Sequence, residues 1–400
     1  MISIETARGF SVSAHRVEIV ERKGRGHPDS ICDAVMDAIS VALCRTYRER
    51  CGRILHHNID KSLLAAGSVE RQFGGGRVIR PMEFVIGDRA TFAAAGEEIP
   101  VAEIAIDTAN RWLRENLRFV DPAKHVRYRI VLAPGSSELV DIFARPGAVM
   151  VANDTSAAVG YWPLSPTERA VLDLERFLNG TRFKERFPES GEDVKVMGLR
   201  TGTDLTMTVA MPLIARFVHS EADYFDRKKA IGREIGEFLA GLPGFGRRTF
   251  HFNTLDETGR GLNGIYLSLL GTSAEDADSG QVGRGNRVNG IIALSRPLGS
   301  EATAGKNPVS HVGKIYTILA HQLAREICEE VEGVAEATVL LLSRIGTPID
   351  RPAMAAAQLR LQRGLRLADA SGRAREIIAR GLAGIGDFCL ELAEGRYPVC

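Results

Sequence analysis

Hydrophobic residues recur every three or four positions in four segments of the chain. This spacing places apolar side chains on one face of a helix, and it predicts helices over residues 28–44, 168–178, 311–331 and 374–393. In the first segment, Ile31, Val35 and Ile39 form the buried face. Pro28 suits the first helical position, because its missing N–H would have no partner there. Glycines weaken the last segment, since glycine destabilises a helix.

Short apolar runs between these segments have the composition of β-strands. They predict strands over residues 126–132, 205–211, 265–270 and 337–342. The run 205–211 alternates apolar and polar residues, which is typical of a sheet with one solvated face. Mixed strands and helices indicate an α+β or α/β architecture. Because the chain has 400 residues, we expect two or three domains.

Composition argues against several classes of protein. The 51 lysines and arginines nearly cancel the 50 aspartates and glutamates, so no global field would hold nucleic acid or an anionic membrane. No apolar run approaches the roughly 18 residues that span a bilayer. Residues 1–16 lack the pattern of a signal peptide, so we expect a cytoplasmic protein. Six scattered cysteines without a C-x-x-C pair predict reduced, structural thiols.

A polar, glycine-rich segment at residues 21–33 reads ERKGRGHPDSICD and leads into the first predicted helix. A helix start offers free N–H groups and a partial positive charge, and nearby glycines let an anion come close. Asp29 and Asp33 lie four residues apart on one helix face, so both carboxylates could hold Mg²⁺. In the structural alternative, Asp29 only complements the helix dipole and His27 is a surface residue.

A longer polar segment covers residues 271–314. Acidic residues come first, followed by the cations and the histidine Arg284, Arg287, Lys306, His311 and Lys314. Guanidinium and ammonium groups among glycines suit a polyphosphate, and carboxylates suit the metal that accompanies it. A long solvated loop, charged for solubility, is the alternative interpretation.

Two familiar nucleotide motifs fail in this sequence. Residues 299–307 approach a P-loop, but the spacing is one residue too long and Asn307 stands where a Ser or Thr should bind Mg²⁺. Residues 259–264 match G-x-G-x-x-G by letter, but no predicted strand precedes them and no predicted helix follows. Neither motif therefore supports a kinase or a dinucleotide-binding protein.

Other features have a functional and a structural interpretation. Residues 132–139 (LAPGSSEL) run from a strand into small residues, where a nucleotide could approach the backbone or the chain could simply turn. Asp154 could accept bonds from an amino or ribose group, or it could cap a helix. The adjacent His56 and His57 cannot both face one metal from a strand, so we expect no histidine metal site.

Nine landmarks in order resemble the archaeal-type methionine adenosyltransferases over nearly the full length. They are ERKGRGHPDSICD, HHNIDK, QFGGGRVIRP, GDRAT, NDTSAAVGY, VKVMGLR, GTSAEDADSGQVGRGNRVNG, AGKNPVSHVGKIY and RIGTPID. The resemblance implies an α+β fold of three similar, intertwined subdomains of mixed sheet and helices around a pseudo-threefold axis. Approximate segments are 1–150, 151–260 and 261–400.

The resemblance assigns roles where residues match. The implied catalytic residues, placed around a triphosphate, are His27, Lys195, Arg284 and Lys306. Asp29 is the implied Mg²⁺ ligand. The implied substrate-binding residues are Ala133, Pro134, Gly135, Ser136, Ser137, Glu138, Asp154 and Asp278. Asp60 is a looser candidate on the methionine side, and Ala133 replaces the family's usual glycine.

The implied reaction joins ATP and L-methionine to form S-adenosylmethionine, with release of pyrophosphate and phosphate. The expected cofactor is Mg²⁺, with K⁺ as a second candidate. The resemblance also implies a homodimer with active sites between its subunits, and we expect no nucleic-acid or membrane partner. Two alternatives remain at this point: a non-catalytic nucleotide-binding homologue that acts as a regulatory subunit, and another Mg-nucleotide transferase such as a kinase.

Overall fold

The computed structural model describes residues 2–94, 96–144 and 149–400. The helices of these residues are α1 Pro28–Cys51, α2 Val101–Asn116, α3 Pro122–His125, α4 Ser137–Asp141, α5 Pro166–Leu178, α6 Thr181–Arg186, α7 Glu221–Ala240, α8 Val312–Glu330, α9 Leu367–Ala383 and α10 Ile385–Ala393. The strands are β1 Ile2–Thr6, β2 Val17–Lys23, β3 His57–Asn58, β4 Leu63–Ala65, β5 Ser68–Gln72, β6 Gly75–Arg80, β7 Met82–Ala90, β8 Ala93–Ala94, β9 Glu97–Glu98, β10 Val126–Ala133, β11 Ala157–Trp162, β12 Lys195–Thr201, β13 Asp204–Ala210, β14 Leu213–Ile214, β15 Arg248–Phe252, β16 Leu267–Ser268, β17 Gly280–Gln281, β18 Ile292–Ala293, β19 Val334–Leu342 and β20 Met354–Leu361.

Three larger sheets organise the molecule. Sheet A has the order β1-β20-β19-β11, sheet B the order β15-β13-β12-β2-β18, and sheet C the order β10-β7-β4-β17 with β3 beside β7. Each sheet packs against a principal helix, α8 on sheet A, α5 on sheet B and α1 on sheet C, and α9 and α7 also contact sheets A and B, respectively. This repeated unit of mixed sheet and helix confirms the predicted fold class of similar α+β subdomains.

The sheets do not follow contiguous stretches of sequence. Sheet A combines β1 with β11, β19 and β20, and sheet C takes β17 from far downstream of its other strands. The division into segments 1–150, 151–260 and 261–400 stays a prediction. Two cores hold the assembly together, one around α1, α8 and sheets A and C, and the other around sheet B with α5 and α7.

The predicted starts of α1 and α8 are accurate to within one residue, whereas α5 begins two residues earlier and α9 seven residues earlier than predicted. Pro28 occupies the first position of α1, and Ser165 forms a capping box with Glu168 at the start of α5. Of the four predicted C-terminal ends, only that of α1 is wrong by more than one residue. α1 runs to Cys51 and stops at Gly52, whose φ of 69° is left-handed. The single helix predicted over 374–393 is wrong, since α9 and α10 meet at Gly384.

Three of the four predicted strands are confirmed, as β10, β13 and β19. The fourth, over 265–270, is largely wrong, because only Leu267–Ser268 forms a strand. Two backbone N–H groups of this segment donate to a side chain instead of to a neighbouring strand. The carboxylate of Glu275 accepts the N–H groups of Leu269 and Leu270 at 2.7 to 3.0 Å, so these groups do not join a ladder.

Two findings bear on the predicted setting of the protein. Within the part of the chain that the structure describes, no helix has the length and apolar character to cross a bilayer. All six cysteines are free, as predicted. The cytoplasmic location itself stays a prediction.

Candidate functional site

The glycines of the GRG segment bring two backbones together. Gly24 donates its N–H to the carbonyl of Val194 at 2.6 Å, and a Cβ added at Gly26 would lie 2.5 Å from the backbone nitrogen of Asp193. The sequence suggested that these glycines let an anion approach. In the structure they let the end of β2 pass against the chain before β12, which places Lys195 beside the start of α1.

The first turn of α1 presents His27 and Asp29. The Nδ1 atom of His27 caps the helix by accepting the N–H of Asp29 at 3.2 Å. Burial lowers the pKa of His27 to about 4, against the opposing effect of the Asp29 carboxylate. The ring is therefore neutral at pH 7. Because Nδ1 accepts a hydrogen bond, the ring proton lies on Nε2, which is left as a donor.

Five of the predicted site residues line one cleft of about 480 Å³. We call them the first group: His27, Asp29, Lys195, Asp278 and Arg284. His27 and Asp29 are only 7% and 6% exposed, whereas Asp278 and Arg284 reach solvent. The Lys195 side chain is 43% exposed and lies 3.0 Å from Glu21. Solvent-accessible cations beside buried polar groups can form charge-assisted hydrogen bonds with a polyanion.

Sequence reasoning missed Lys23, which also lines the cleft. Its Nζ atom donates to Asp29 at 2.9 Å and to the backbone carbonyl of Arg284 at 2.6 Å. The Lys23 ammonium group therefore links Asp29, the candidate Mg²⁺ ligand, to the backbone of Arg284. The signal was available only through strand pairing, because Lys23 sits directly opposite Lys195 between β2 and β12.

The prediction that Asp33 shares a metal site with Asp29 is wrong, because Asp33 does not line the cleft that Asp29 lines. The two oxygens of Asp33 accept the N–H groups of Gly283 and Gly285 at 2.7 and 3.1 Å. A Cβ at Gly285 would lie 2.2 Å from the carboxylate, so glycine is required there. Burial raises the pKa of Asp33 to about 7, although these backbone bonds oppose the shift. Asp33 holds the loop that carries Arg284 against α1.

Lys306 lies away from this cleft, in a buried network of its own. Its Nζ atom is 2.5 Å from Asp60 and 3.2 Å from Glu301, and the residue is 3% exposed. Asn58 donates to Asp60 at 2.8 Å and to Asp88 at 2.9 Å. Burial alone would raise the pKa of Asp60, but the charge and hydrogen bond of Lys306 lower it to about 2. Asp60 therefore stays ionised.

Asp154 adjoins this network, and the segment 133–138 begins at the same end of sheet C as Asn58. The hydroxyl of Ser156 bonds to Glu301 at 3.0 Å and to Asp154 at 3.3 Å. Strand β10 ends at Ala133, which pairs with Arg89 of β7. Arg89 also pairs with Asn58 of β3, on the other side of β7. We call these residues the second group: Asp60, Lys306, Asp154, Ala133, Pro134, Gly135, Ser136, Ser137 and Glu138. Among the described residues, the second group contributes nothing to the lining of the cleft.

Three further residues of the segment 271–314 serve the fold. Lys314 is buried and pairs with Asp37 at 2.5 Å. The Nδ1 atom of His311 caps α8 by accepting the N–H of Gly313 at 3.2 Å. Arg287 donates to the carbonyl of Gly283 at 3.3 Å. None of these three is in a position to hold a ligand in the cleft.

The described residues contain no cluster of three or more potential metal ligands. Two carboxylates, Asp29 and Asp278, nevertheless line the cleft. Mg²⁺ prefers oxygen ligands and usually takes only one or two carboxylates, the others being phosphate oxygens and water. The cleft therefore fits a Mg²⁺ ion that arrives with a polyphosphate, and it does not fit a metal held by protein alone.

Residues 1–396 match the family model of S-adenosylmethionine synthetase (AdoMet synthetase). An S-adenosylmethionine synthase of Methanothermobacter marburgensis is 40% identical over 395 residues, which is 99% of this chain and 98% of the relative. One of Methanothrix thermoacetophila is 45% identical over 385 residues, or 96% and 95% of the two chains.

A solved structure supports the fold. The structure described as an unusual S-adenosylmethionine synthetase from Campylobacter jejuni matches with a TM-score of 0.60 at 14% identity, covering 93% of this chain and 89% of the other. The fold, the order of the landmarks and the extent of the sequence matches agree. The chain belongs to the S-adenosylmethionine synthetase family.

Proposed function

We propose that this S-adenosylmethionine synthetase joins ATP and L-methionine at a composite site, made by the first group of one protomer and the second group of another. The observation that carries the proposal is the division of the predicted site residues into two groups. One group has exposed cations around an open cleft. The other has the ionised carboxylate of Asp60 fixed in a buried network. A reaction between a polyanion and an ammonium-bearing nucleophile needs both.

The first group suits the leaving triphosphate. Methionine sulfur is a neutral nucleophile that needs no general base, so the barrier lies in the charge that collects on the phosphate chain as the bond to C5′ breaks. Lys23, Lys195 and Arg284 line the cleft where they can neutralise that charge. The Nε2–H of neutral His27 can donate to the oxygen that bridges C5′ and the phosphate. Asp29, with Asp278, would hold Mg²⁺, which supplies further positive charge to the phosphate oxygens.

The second group suits methionine and the nucleoside. Asp60 is kept ionised by Lys306 and is oriented by Asn58. A carboxylate fixed in this way can accept the α-ammonium group of methionine. Asp154 is exposed beside the same network and can accept bonds from an amino or ribose group. The exposed segment 133–138 can lie along the nucleotide.

Exposed apolar side chains on one face of sheet C, beside Arg129, support a second copy at this site. Leu63 pairs with Val85 across β4 and β7, and Val131 lies on the same face of β10. Leu63 is 40% exposed and Val131 is 47% exposed. Leu63 also lines the cleft. A partner that covers Leu63 would therefore bring its own residues to the cleft.

The reaction is tested by mixing purified protein with ATP, methionine and Mg²⁺ and following the products by mass spectrometry and phosphate release. We expect S-adenosylmethionine, pyrophosphate and phosphate in equal amounts, with none of the first product when methionine is omitted. Calorimetry that shows ATP binding without any product would favour the regulatory alternative and would contradict the proposal.

A further inference from the structure

A second cavity lies between α5 and α8, and its lining shares no residue with the cleft. Its volume of about 440 Å³ is in the usual range for a small-molecule site. Trp162, Leu172 and Ile318 provide an apolar wall, and Tyr397 closes one side. Flat or apolar ligand groups bind surfaces of this kind.

The same cavity carries uncompensated positive charge. Arg169 and Arg176 project from one face of α5, and Arg325 lies on α8. Among the described residues, neither Arg169 nor Arg176 has a side-chain hydrogen bond or ion pair, and no aspartate or glutamate side chain lines the cavity. Arg325 has only an exposed contact of 3.7 Å with Glu329, which contributes little. Three available guanidinium groups suit a dianion.

One strand connects this cavity to the cleft. Arg22 lines the cavity, and its guanidinium donates to the carbonyl of Gly290. The next residue, Lys23, lines the cleft and donates to the carbonyl of Arg284 at 2.6 Å. Neighbouring residues of a strand face opposite sides. At one end of segment 284–290, Gly290 therefore bonds to Arg22 of the cavity. At the other end, Arg284 bonds to Lys23 of the cleft.

We propose that the cavity between α5 and α8 is a second binding site, for an organic phosphate of mononucleotide size, and that its occupancy is transmitted through segment 284–290 to Arg284. The ring of the ligand packs against Trp162, and its phosphate binds Arg169, Arg176 and Arg325. The transmitted effect rests on the proposed function of the cleft, whereas the binding itself does not.

Binding is tested by fluorescence with AMP as the probe. The chain has two tryptophans, so a Trp112→Phe background leaves Trp162 as the reporter. We expect AMP to quench Trp162 with a Kd below about 1 mM, and adenosine and inorganic phosphate to bind more weakly. The double variant Arg169→Ala/Arg325→Ala should weaken AMP by about tenfold or more. The control Arg375→Ala, an exposed arginine of α9, should not.

Three results would overturn the binding site: no quenching by AMP, equal quenching in the double variant, or equal loss in the control. Transmission is tested by initial rates with saturating ATP and methionine. AMP should change the rate of the parent enzyme and leave that of the double variant unchanged. Quenching without any change in rate would refute the link to Arg284. Absence of synthetase activity would refute the proposed function and leave the binding result standing.

Discussion

The first and second groups use the same kinds of residue in opposite ways. In the first group, Arg284 is exposed, and the Lys195 side chain is 43% exposed where it contacts Glu21. In the second group, Lys306 is 3% exposed and shares its charge with Asp60 and Glu301. A lysine of the first kind is available to a ligand. A lysine of the second kind fixes the charge and position of a neighbouring carboxylate.

This difference separates binding from preorganisation. An exposed cation stays hydrated until a ligand binds. Its electrostatic interaction therefore forms only with the ligand and can stabilise the transition state. A buried pair has already lost its water during folding, and it stabilises the structure only while both partners are present. Mutations of the exposed cations of the first group should therefore affect catalysis, and mutations of the buried Lys306–Asp60 pair should affect both catalysis and stability.

The largest expected effect on stability follows replacement of Lys306. Lys306→Ala leaves the buried charge of Asp60 without its main partner, and we expect a loss of about 3–5 kcal/mol in the free energy of unfolding. Lys195→Ala removes a part-exposed pair and should cost less than about 1 kcal/mol. Urea denaturation of both variants measures the contrast.

A double variant makes that comparison sharper. Lys306→Ala/Asp60→Asn should recover part of the loss, because the uncompensated charge is gone. Equal stability of the Lys306 and Lys195 variants would remove the distinction between the two groups.

Replacement in the first group should show its largest effect on turnover. Asp29→Asn keeps the hydrogen-bonding shape but weakens the hold on Mg²⁺, and we expect kcat to fall on the order of 100- to 1,000-fold. Asp226→Asn on α7, where the carboxylate is exposed, serves as the control and should keep full activity. Steady-state rates across a range of Mg²⁺ concentrations measure the change. A rate within twofold of the parent would remove Asp29 from the mechanism.

The smallest expected effect is a pH dependence at His27. The pKa of the folded state, about 4, lies below the ordinary value of 6.5. The unfolded chain therefore binds a proton first as the pH falls. The contribution of His27 to stability is complete above pH 6.5 and is lost as the pH falls towards 4, by about 1.4 kcal/mol per pH unit.

His27→Asn isolates that contribution, because asparagine does not titrate. Between pH 6.5 and 4, the free energy of unfolding of the parent should fall relative to that of the variant by about 1.4 kcal/mol per pH unit. A difference that stays constant over this interval would show that His27 has the same pKa in the folded protein as in the unfolded chain, and the lowered pKa would be refuted.

Local signals made parts of this molecule predictable. Pro28 and the Ser165 capping box fix the starts of two helices within a few residues of sequence. The helix α7 was not predicted, although Tyr224, Ile231, Ile235 and Leu239 lie on its buried face, because glycines and charges dilute that pattern. The strand predicted over 265–270 fails because a carboxylate six residues away in sequence takes its N–H groups.

The residues of the candidate site also differ in whether the sequence alone could predict their roles. Motif residues such as His27 and Asp29 could be assigned from their sequence context. Lys23 could not, because its role depends on the pairing of β2 with β12, which are separated by more than a hundred residues in sequence. Asp33 was misassigned because helical spacing shows which face a carboxylate occupies but not what covers that face. In this protein the loop of Gly283 and Gly285 covers it.

Subunit mixing tests the composite site most directly. Arg284→Ala disables the first group and Asp154→Ala the second, and each homodimer should be nearly inactive. If each site combines the two groups from different protomers, a mixed dimer contains one site with both groups intact. Co-expression with two affinity tags should then recover about half of the wild-type activity in the purified mixed dimer. Recovery no greater than the sum of the separate variants would contradict the composite site and place both groups of each site within one chain.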